Sequence, residues 1–234
     1  MSYEKRSDGR KFDQIRKMEA ETGIISRAAG SARFKMGDTT AIAAVYGPRE
    51  LHPRFMQNPR KGVLRCEYDM ISFSVTERKR PGPTRRSQEI SYVTTKSLEP
   101  TIDLTKYPNT VIDIMITIPQ ANAGTRCTGI CAASLALADA GIPLKDLVAA
   151  VSVGKVGDKI VLDLTKEEED YPDGATDIPV AMTPRNGKIT LLQLDGNVSR
   201  EELKKALELA KKGCDEIYRF QQETLRKSFE RKTT

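Results

Sequence analysis

TVIDIMITIPQANAGTRCTGICAASLALADAGIP, residues Thr110 to Pro143, is the stretch whose reading decides the fold. Val111 to Ile118 is apolar and β-branched with Asp113 as its one charge, the pattern of a mostly buried strand. Cys127 to Ala140 is rich in Ala and Leu and stops at Gly141 with Pro143 just beyond, which predicts a buried helix with an ordinary C-terminal signal. Gly124-Thr125-Arg126 then falls at the mouth of that helix. Unpaired N–H groups and the positive end of the helix dipole favour an anion there. Gly124 permits close approach, Thr125 adds a hydroxyl, and Arg126 adds a planar cationic fork suited to phosphate. The plainer alternative is a helix cap carrying one surface arginine.

Working outward, the 234 residues contain no Pro/Ser/Gly-rich linker, low-complexity tract or short-period repeat, so one domain spanning residues 1–234, ending in a short basic tail, is expected. Apolar runs such as Leu147 to Val151 are far too short to cross a bilayer. The opening MSYEKRSDGRK is charged where a signal peptide would be apolar, so no membrane association and a cytoplasmic location are expected. The four cysteines lack CxxC spacing and His52 is the single histidine, which argues against a zinc site, a disulfide framework or a His-dependent nucleophile. No GxxxxGK[ST] loop is present, which disfavours a nucleoside-triphosphate hydrolase. The net charge is +6, with basic residues crowded into Arg49 to Arg65 and Arg78 to Arg86 and acids into Glu167 to Asp177. A solvated surface explains either run alone; together they fit a site holding a polyanion beside a metal ion or proton donor.

Ala32 to Met36 and Thr40 to Tyr46 flank Gly37-Asp38 as a tight hairpin. The loop from Gly47 to Gly62 mixes Arg49, His52, Arg54, Arg60 and Lys61 with Phe55 and Met56, which suits a single nucleic-acid strand or else a mobile surface loop. Val63 to Ser74 reads as a strand placing Arg65, Glu67 and Asp69 on one side. Arg85-Arg86 precede a helix starting near Ser87, where paired cations beside a positive dipole end imply an expected anion, unless they are simply solvated. Leu147 to Val153 and Lys159 to Leu164 form a second hairpin around Gly157-Asp158. Glu167 to Asp173 is read as loop, and Asp177 as a carboxylate at the edge of the buried strand Ile178 to Met182. Arg185-Asn186-Gly187-Lys188 turns into Thr190 to Leu194. A last helix starts with the capping box Ser199/Glu202 and buries Leu203, Ala206, Leu207, Ala210, Cys214 and Ile217, and its basic end from Arg226 to Lys232 is expected to fray.

The motifs DGR, AAGSARFKMGDTTAIAAVYGP, LRCEYDM, RRSQEIS, AGTRCTGICAASLALADAGIP and TDIPVA occur in that order from Ser7 to Asp195. In this the chain closely resembles the RNase PH family, and within it the branch of catalytic RNase PH-like subunits of the archaeal exosome. The resemblance implies an α+β fold, like the second domain of ribosomal protein S5, with mixed sheets packed with helices. It also implies a phosphate-dependent 3′-to-5′ exoribonuclease that releases nucleoside diphosphates and can run backwards. Carried over by motif, Gly124, Thr125 and Arg126 would bind inorganic phosphate as co-substrate. Arg85 and Arg86 would hold the 3′ end of single-stranded RNA, and Arg65 with the loop of the fifties would line its path. Asp177 matches an active-site carboxylate and, with Asp170, would bind Mg²⁺. The second carboxylate of the family lies six residues upstream of the first, whereas Asp170 lies seven upstream of Asp177, and Asp173 competes for the role. Asn122 stands where the family often has Asp. Implied partners are a paralogous RNase PH-like subunit in a hexameric ring and RNA-binding cap proteins. The alternatives carried are an RNA-binding ring subunit without an active site and a homohexameric RNase PH that trims transfer RNA.

Overall fold

Two sheets are built from the predicted hairpins. The computed structural model describes residues 3–77, 79–172 and 174–233, so Arg78 and Asp173 lie outside the described residues. In the first sheet, β1 (Met18–Thr22), β2 (Gly30–Met36), β3 (Thr39–Glu50), β4 (Val63–Met70) and β5 (Thr110–Gln120) take the order β1-β2-β3-β5-β4. All neighbours are antiparallel except β4 and β5, which run parallel with Val63 opposite Val111 and Met70 opposite Ile118. In the second sheet, β6 (Ala149–Val156), β7 (Lys159–Leu162), β8 (Ala175–Thr183) and β9 (Lys188–Leu192) take the order β7-β6-β8-β9, all antiparallel.

The decisive stretch folds as read. β5 buries Val111, Ile112, Ile114, Ile116 and Ile118, and the helix that follows, α2 (Thr125–Asp139), is buried from Cys127 through Leu137. Small residues let it lie close to its neighbours: a Cβ on Gly30 at the start of β2 would sit 2.1 Å from the Ala140 amide nitrogen at the end of α2. One continuous core takes in residues of β2, β3 and β5 from the first sheet, β6, β7 and β8 from the second, and α2. A longer helix, α4 (Arg200–Thr233), adds Ala206, Ala210, Cys214 and Ile217 to it. The predicted capping box forms, with Glu202 N–H donating to Ser199 Oγ (3.2 Å) and Ser199 N–H to Glu202 Oε2 (2.8 Å). The helix continues through the basic end to Thr233.

α1 (Arg85–Leu98) begins two residues before Ser87, so Arg85 and Arg86 lie in its first turn; Thr84 is its N-cap, and Ser87 N–H donates to Thr84 Oγ1 at 3.1 Å. Its hydroxyl row has a purpose the sequence did not reveal. The β4 amides of Tyr68 and Cys66 donate to Ser91 Oγ (2.9 Å) and Thr95 Oγ1 (3.2 Å), so α1 satisfies the otherwise open edge of β4. No helix among the described residues is long and apolar enough to cross a membrane.

A further short helix, α3 (Lys166–Glu169), replaces part of the expected acidic loop. The N-terminal arm fixes it. Buried Arg6 donates from Nε and Nη2 to the two oxygens of buried Glu168 at 2.8 Å each, and from Nη1 to the Leu162 carbonyl at 2.8 Å. Arg16 grips buried Asp163 through Nη2–H (2.7 Å) and Nε–H (2.9 Å). A buried charge is tolerable only when paired and hydrogen-bonded in this way. The arm therefore holds the segment from Leu162 to Glu169 rigidly against the second sheet.

Candidate active site

The loop between β5 and α2 sets the site. Ala123 (φ 57°) and Gly124 (φ 63°) are both left-handed, so the chain reverses in two residues and the first turn of α2 faces outward. No side-chain cap hydrogen bond is made to that turn, and unpaired N–H groups at a helix start are a setting that favours an anion. Below the loop, Thr39 accepts from the Asn122 N–H at 2.9 Å, and the Asn122 side-chain oxygen accepts from the Lys166 N–H at 3.1 Å. Asn122 thus joins the loop between β5 and α2 to α3, a hydrogen bond its side-chain oxygen makes as well as a carboxylate would.

A cavity of about 410 Å³ opens in front of this helix mouth. Gly124, Thr125 and Arg126 line it together with Arg86 from α1 and Asp177 from β8. Lys79, Lys166, Glu169 and Ser152 also reach it. Segments far apart in sequence therefore meet at one place, and cationic side chains outnumber carboxylates around it. Arg86 is exposed and has no ion-pair partner among the described residues. Arg126 is mostly covered, and its Nε is buried with no partner among the described residues. Such an orphaned donor is costly unless something arrives to accept from it.

The carboxylates are tuned by the same surroundings. Burial lifts Asp177 above its ordinary range, and the charge of Asp195 adds to this, while a short hydrogen bond donated by Ser152 Oγ and the charges of Arg126 and Arg86 oppose it. Glu169 is likewise raised, by burial first and by the charge of Asp177 second. A partly buried carboxylate raised by the charge of a second one is a setting in which a divalent cation or a shared proton is favoured. Among the described residues no group of three His, Cys, Asp or Glu side chains comes together to hold a metal.

The remaining predicted residues lie elsewhere. Asp170 ends α3, is exposed, and pairs with Lys166 Nζ at 2.6 Å; it does not line the cavity. Glu169, the last residue of α3, lines the cavity instead. The signal was present, since Thr165 followed three residues later by Glu168 is a capping pattern that starts α3 and fixes which way Glu169 points. Arg85 is the first residue of α1, exposed and outside the lining. Arg65 sits near the start of β4, about 17 Å by strand rise from Met70 at the cavity. There Arg65 Nε donates to Asp113 Oδ1 and Arg49 Nη2 to Asp113 Oδ2, both at 2.6 Å. Burial alone would raise the Asp113 carboxyl, but the two arginines outweigh it and hold it below the usual range. A second depression, of about 580 Å³, runs beside β4 from Arg65 past Asp69 to Gly82 and Pro83. The fifties loop is anchored at buried Leu51 and leaves Phe55 almost fully exposed.

The thiols of Cys127, Cys131 and Cys214 belong to the core. Burial pushes Cys131 up to about 12 and Cys127 and Cys214 well above their ordinary value, so none is a nucleophile at neutral pH.

The chain is similar to several known proteins. Residues 14–143 match the 3′ exoribonuclease family, domain 1 (RNase_PH), and residues 146–213 match domain 2 of the same family (RNase_PH_C). The exosome complex component Rrp41 of Methanopyrus kandleri is 53% identical over 96% of this chain and 93% of its own length. The protein of the same name from Thermococcus kodakarensis is 52% identical over 96% of this chain and 90% of its own length. Among solved structures, the crystal structure of rice (Oryza sativa) Rrp46 superposes with a TM-score of 0.83 at 27% identity, covering 94% of this chain and all of that one.

Proposed function

The chain belongs to the RNase PH family of 3′ exoribonucleases, and from that premise we infer that it degrades single-stranded RNA from the 3′ end by phosphorolysis, as the catalytic subunit of an exosome ring. The observation that carries this reading is the convergence of the α2 mouth, Arg86, Arg126 and Asp177 on one cavity of about 410 Å³. A ring subunit without an active site would have no need of an uncapped helix mouth, an orphaned guanidinium nitrogen and a lifted carboxyl in the same place.

In the reaction proposed, inorganic phosphate sits on the first turn of α2, with Arg126 and the Thr125 hydroxyl against its oxygens. One phosphate oxygen attacks the phosphorus of the terminal phosphodiester in line. The bond from that phosphorus to the 3′ oxygen of the preceding nucleotide breaks, and a nucleoside diphosphate leaves. Arg86 and Arg126 offset negative charge as it moves between attacking and leaving oxygens. Asp177, its carboxyl held protonated more readily by burial, delivers the proton to the departing 3′ oxygen. As the alternative to that proton, a bound Mg²⁺ would supply charge neutralisation at the leaving oxygen, and the residues that would hold it are Asp177, then ionised, and Glu169. Arg85 at the rim, and Arg65 with the fifties loop at the far end of the β4 depression, would hold successive backbone phosphates. A paralogous RNase PH-like partner in a hexameric ring, RNA-binding cap proteins and a cytoplasmic location belong to the same reading.

The direct test is the reverse reaction. Supplied with nucleoside diphosphates and Mg²⁺, the assembled ring should extend an RNA primer and release inorganic phosphate; failure to do so while still shortening RNA in phosphate-free buffer would rule out phosphorolysis.

The roles of Glu169 and Asp170 separate cleanly. Glu169→Gln is expected to lower kcat about 10²-fold, whereas Asp170→Asn should stay within about threefold, as for other exposed ion pairs. Single-turnover rates on a short RNA measure both. A pH effect follows from Ser152, which donates to Asp177 and so lowers a carboxyl that burial raises. In Ser152→Ala the Asp177 carboxyl rises further, so protonated acid persists to higher pH. The alkaline limb of the rate profile should therefore move upward, which a pH series of single-turnover rates would show.

A further inference from the structure

We propose that Gln193 is a positioning residue for the phosphate, acting through Arg126; this rests on the reading that the α2 mouth holds that co-substrate. Gln193 Oε1 accepts a short hydrogen bond from Arg126 Nη1, and Gln193 Nε2 donates to Glu89 Oε1 at 2.8 Å. Glu89 Oε1 in turn lies 3.6 Å from Arg126 Nη2. The outer edge of the guanidinium is thereby occupied by α1 and by the segment after β9, while its Nε is left buried and without a partner among the described residues. A planar fork held at two nitrogens can rotate little, so its remaining donor capacity is aimed before any ligand arrives.

The backbone of the Gln193 segment makes the arrangement stiff. Gln193 N–H donates to the Pro179 carbonyl at 3.1 Å, and Asp195 and Asp177 exchange backbone hydrogen bonds at 2.9 and 3.0 Å. One short extension beyond β9 therefore fixes both the arginine and the strand carrying the carboxylate. The opposite end of the brace, Glu89, lies one helical turn beyond Arg85 and Arg86. The grip on RNA and the grip on phosphate thus share one hydrogen-bonded link, and it holds Arg126 through neutral as well as charged partners, leaving its positive charge available.

The test uses the full chain in its assembled ring and the variant Gln193→Met, which keeps length and removes both hydrogen bonds. KM for inorganic phosphate should rise about tenfold, with kcat and KM for RNA within about twofold and the melting temperature unchanged. In an Arg126→Lys background, which lacks the fork, the same change should add nothing further. An unaltered KM for phosphate, a loss confined to kcat, or the same tenfold effect in both backgrounds would overturn the proposal. If the unmodified ring itself shortened RNA with no dependence on phosphate, the functional reading beneath it would fail instead.

Discussion

Arg126→Glu is expected to abolish phosphate-dependent turnover, lowering kcat/KM by at least about 10³-fold while leaving the fold intact. The loss is large because the substitution removes the guanidinium at the helix mouth and puts a negative charge where the proposed reaction seats an anion. The fold survives because an acidic side chain in the first turn of a helix is favoured by the dipole. The side chain also lies at the cavity wall rather than in the core. Circular dichroism and melting temperature should match the unmodified protein, and single-turnover decay of a labelled RNA with saturating phosphate gives the rate. Activity retained within tenfold would remove Arg126 from the phosphate site.

Asp177→Asn has the second large effect, with opposite consequences for rate and stability. The amide cannot deliver a proton, so kcat should fall by about 10²–10⁴-fold. It still accepts from Ser152 and needs no ionisation inside the cavity. For a carboxyl whose folded pKa is raised above its unfolded value, the penalty is fully present above the folded pKa and vanishes below the unfolded one. Asp177→Asn should therefore melt higher than the unmodified protein at neutral pH, with the difference shrinking as pH falls towards 4, the ordinary range of an aspartate. A melting temperature that drops at neutral pH would show that Asp177 is a structural residue. That outcome would remove it from the chemistry.

What the sequence made legible was local. Gly141 and Pro143 marked the end of α2, Gly37-Asp38 and Asn186-Gly187 marked hairpins, and Ser199/Glu202 marked the start of α4, because each is a short-range rule with a physical cause. The residues at the α2 mouth were legible for the same reason. What it hid were relationships across long separations. That β4 runs parallel to β5 is written in no local pattern, and neither is the use of Ser91 and Thr95 to cover the β4 edge. The buried pair Arg6 and Glu168 looked like surface charge in two unrelated segments, and only their convergence makes them structural. The choice between Glu169 and Asp170 turned on the direction of a one-turn helix inside an acidic run, where spacing alone favoured the exposed residue. Glu89 and Gln193 carried no signal at all until the guanidinium of Arg126 was seen between them.

Labelled inorganic phosphate gives the most direct measurement of where the attacking oxygen comes from. The assembled ring is incubated with unlabelled single-stranded RNA and ³²P-phosphate, and the released nucleotides are separated. Label at the β-position of nucleoside diphosphates, one per nucleotide removed, is the predicted result. Unlabelled nucleoside monophosphates released at the same rate with or without phosphate would mean that water, and not an anion seated on the mouth of α2, attacks the chain.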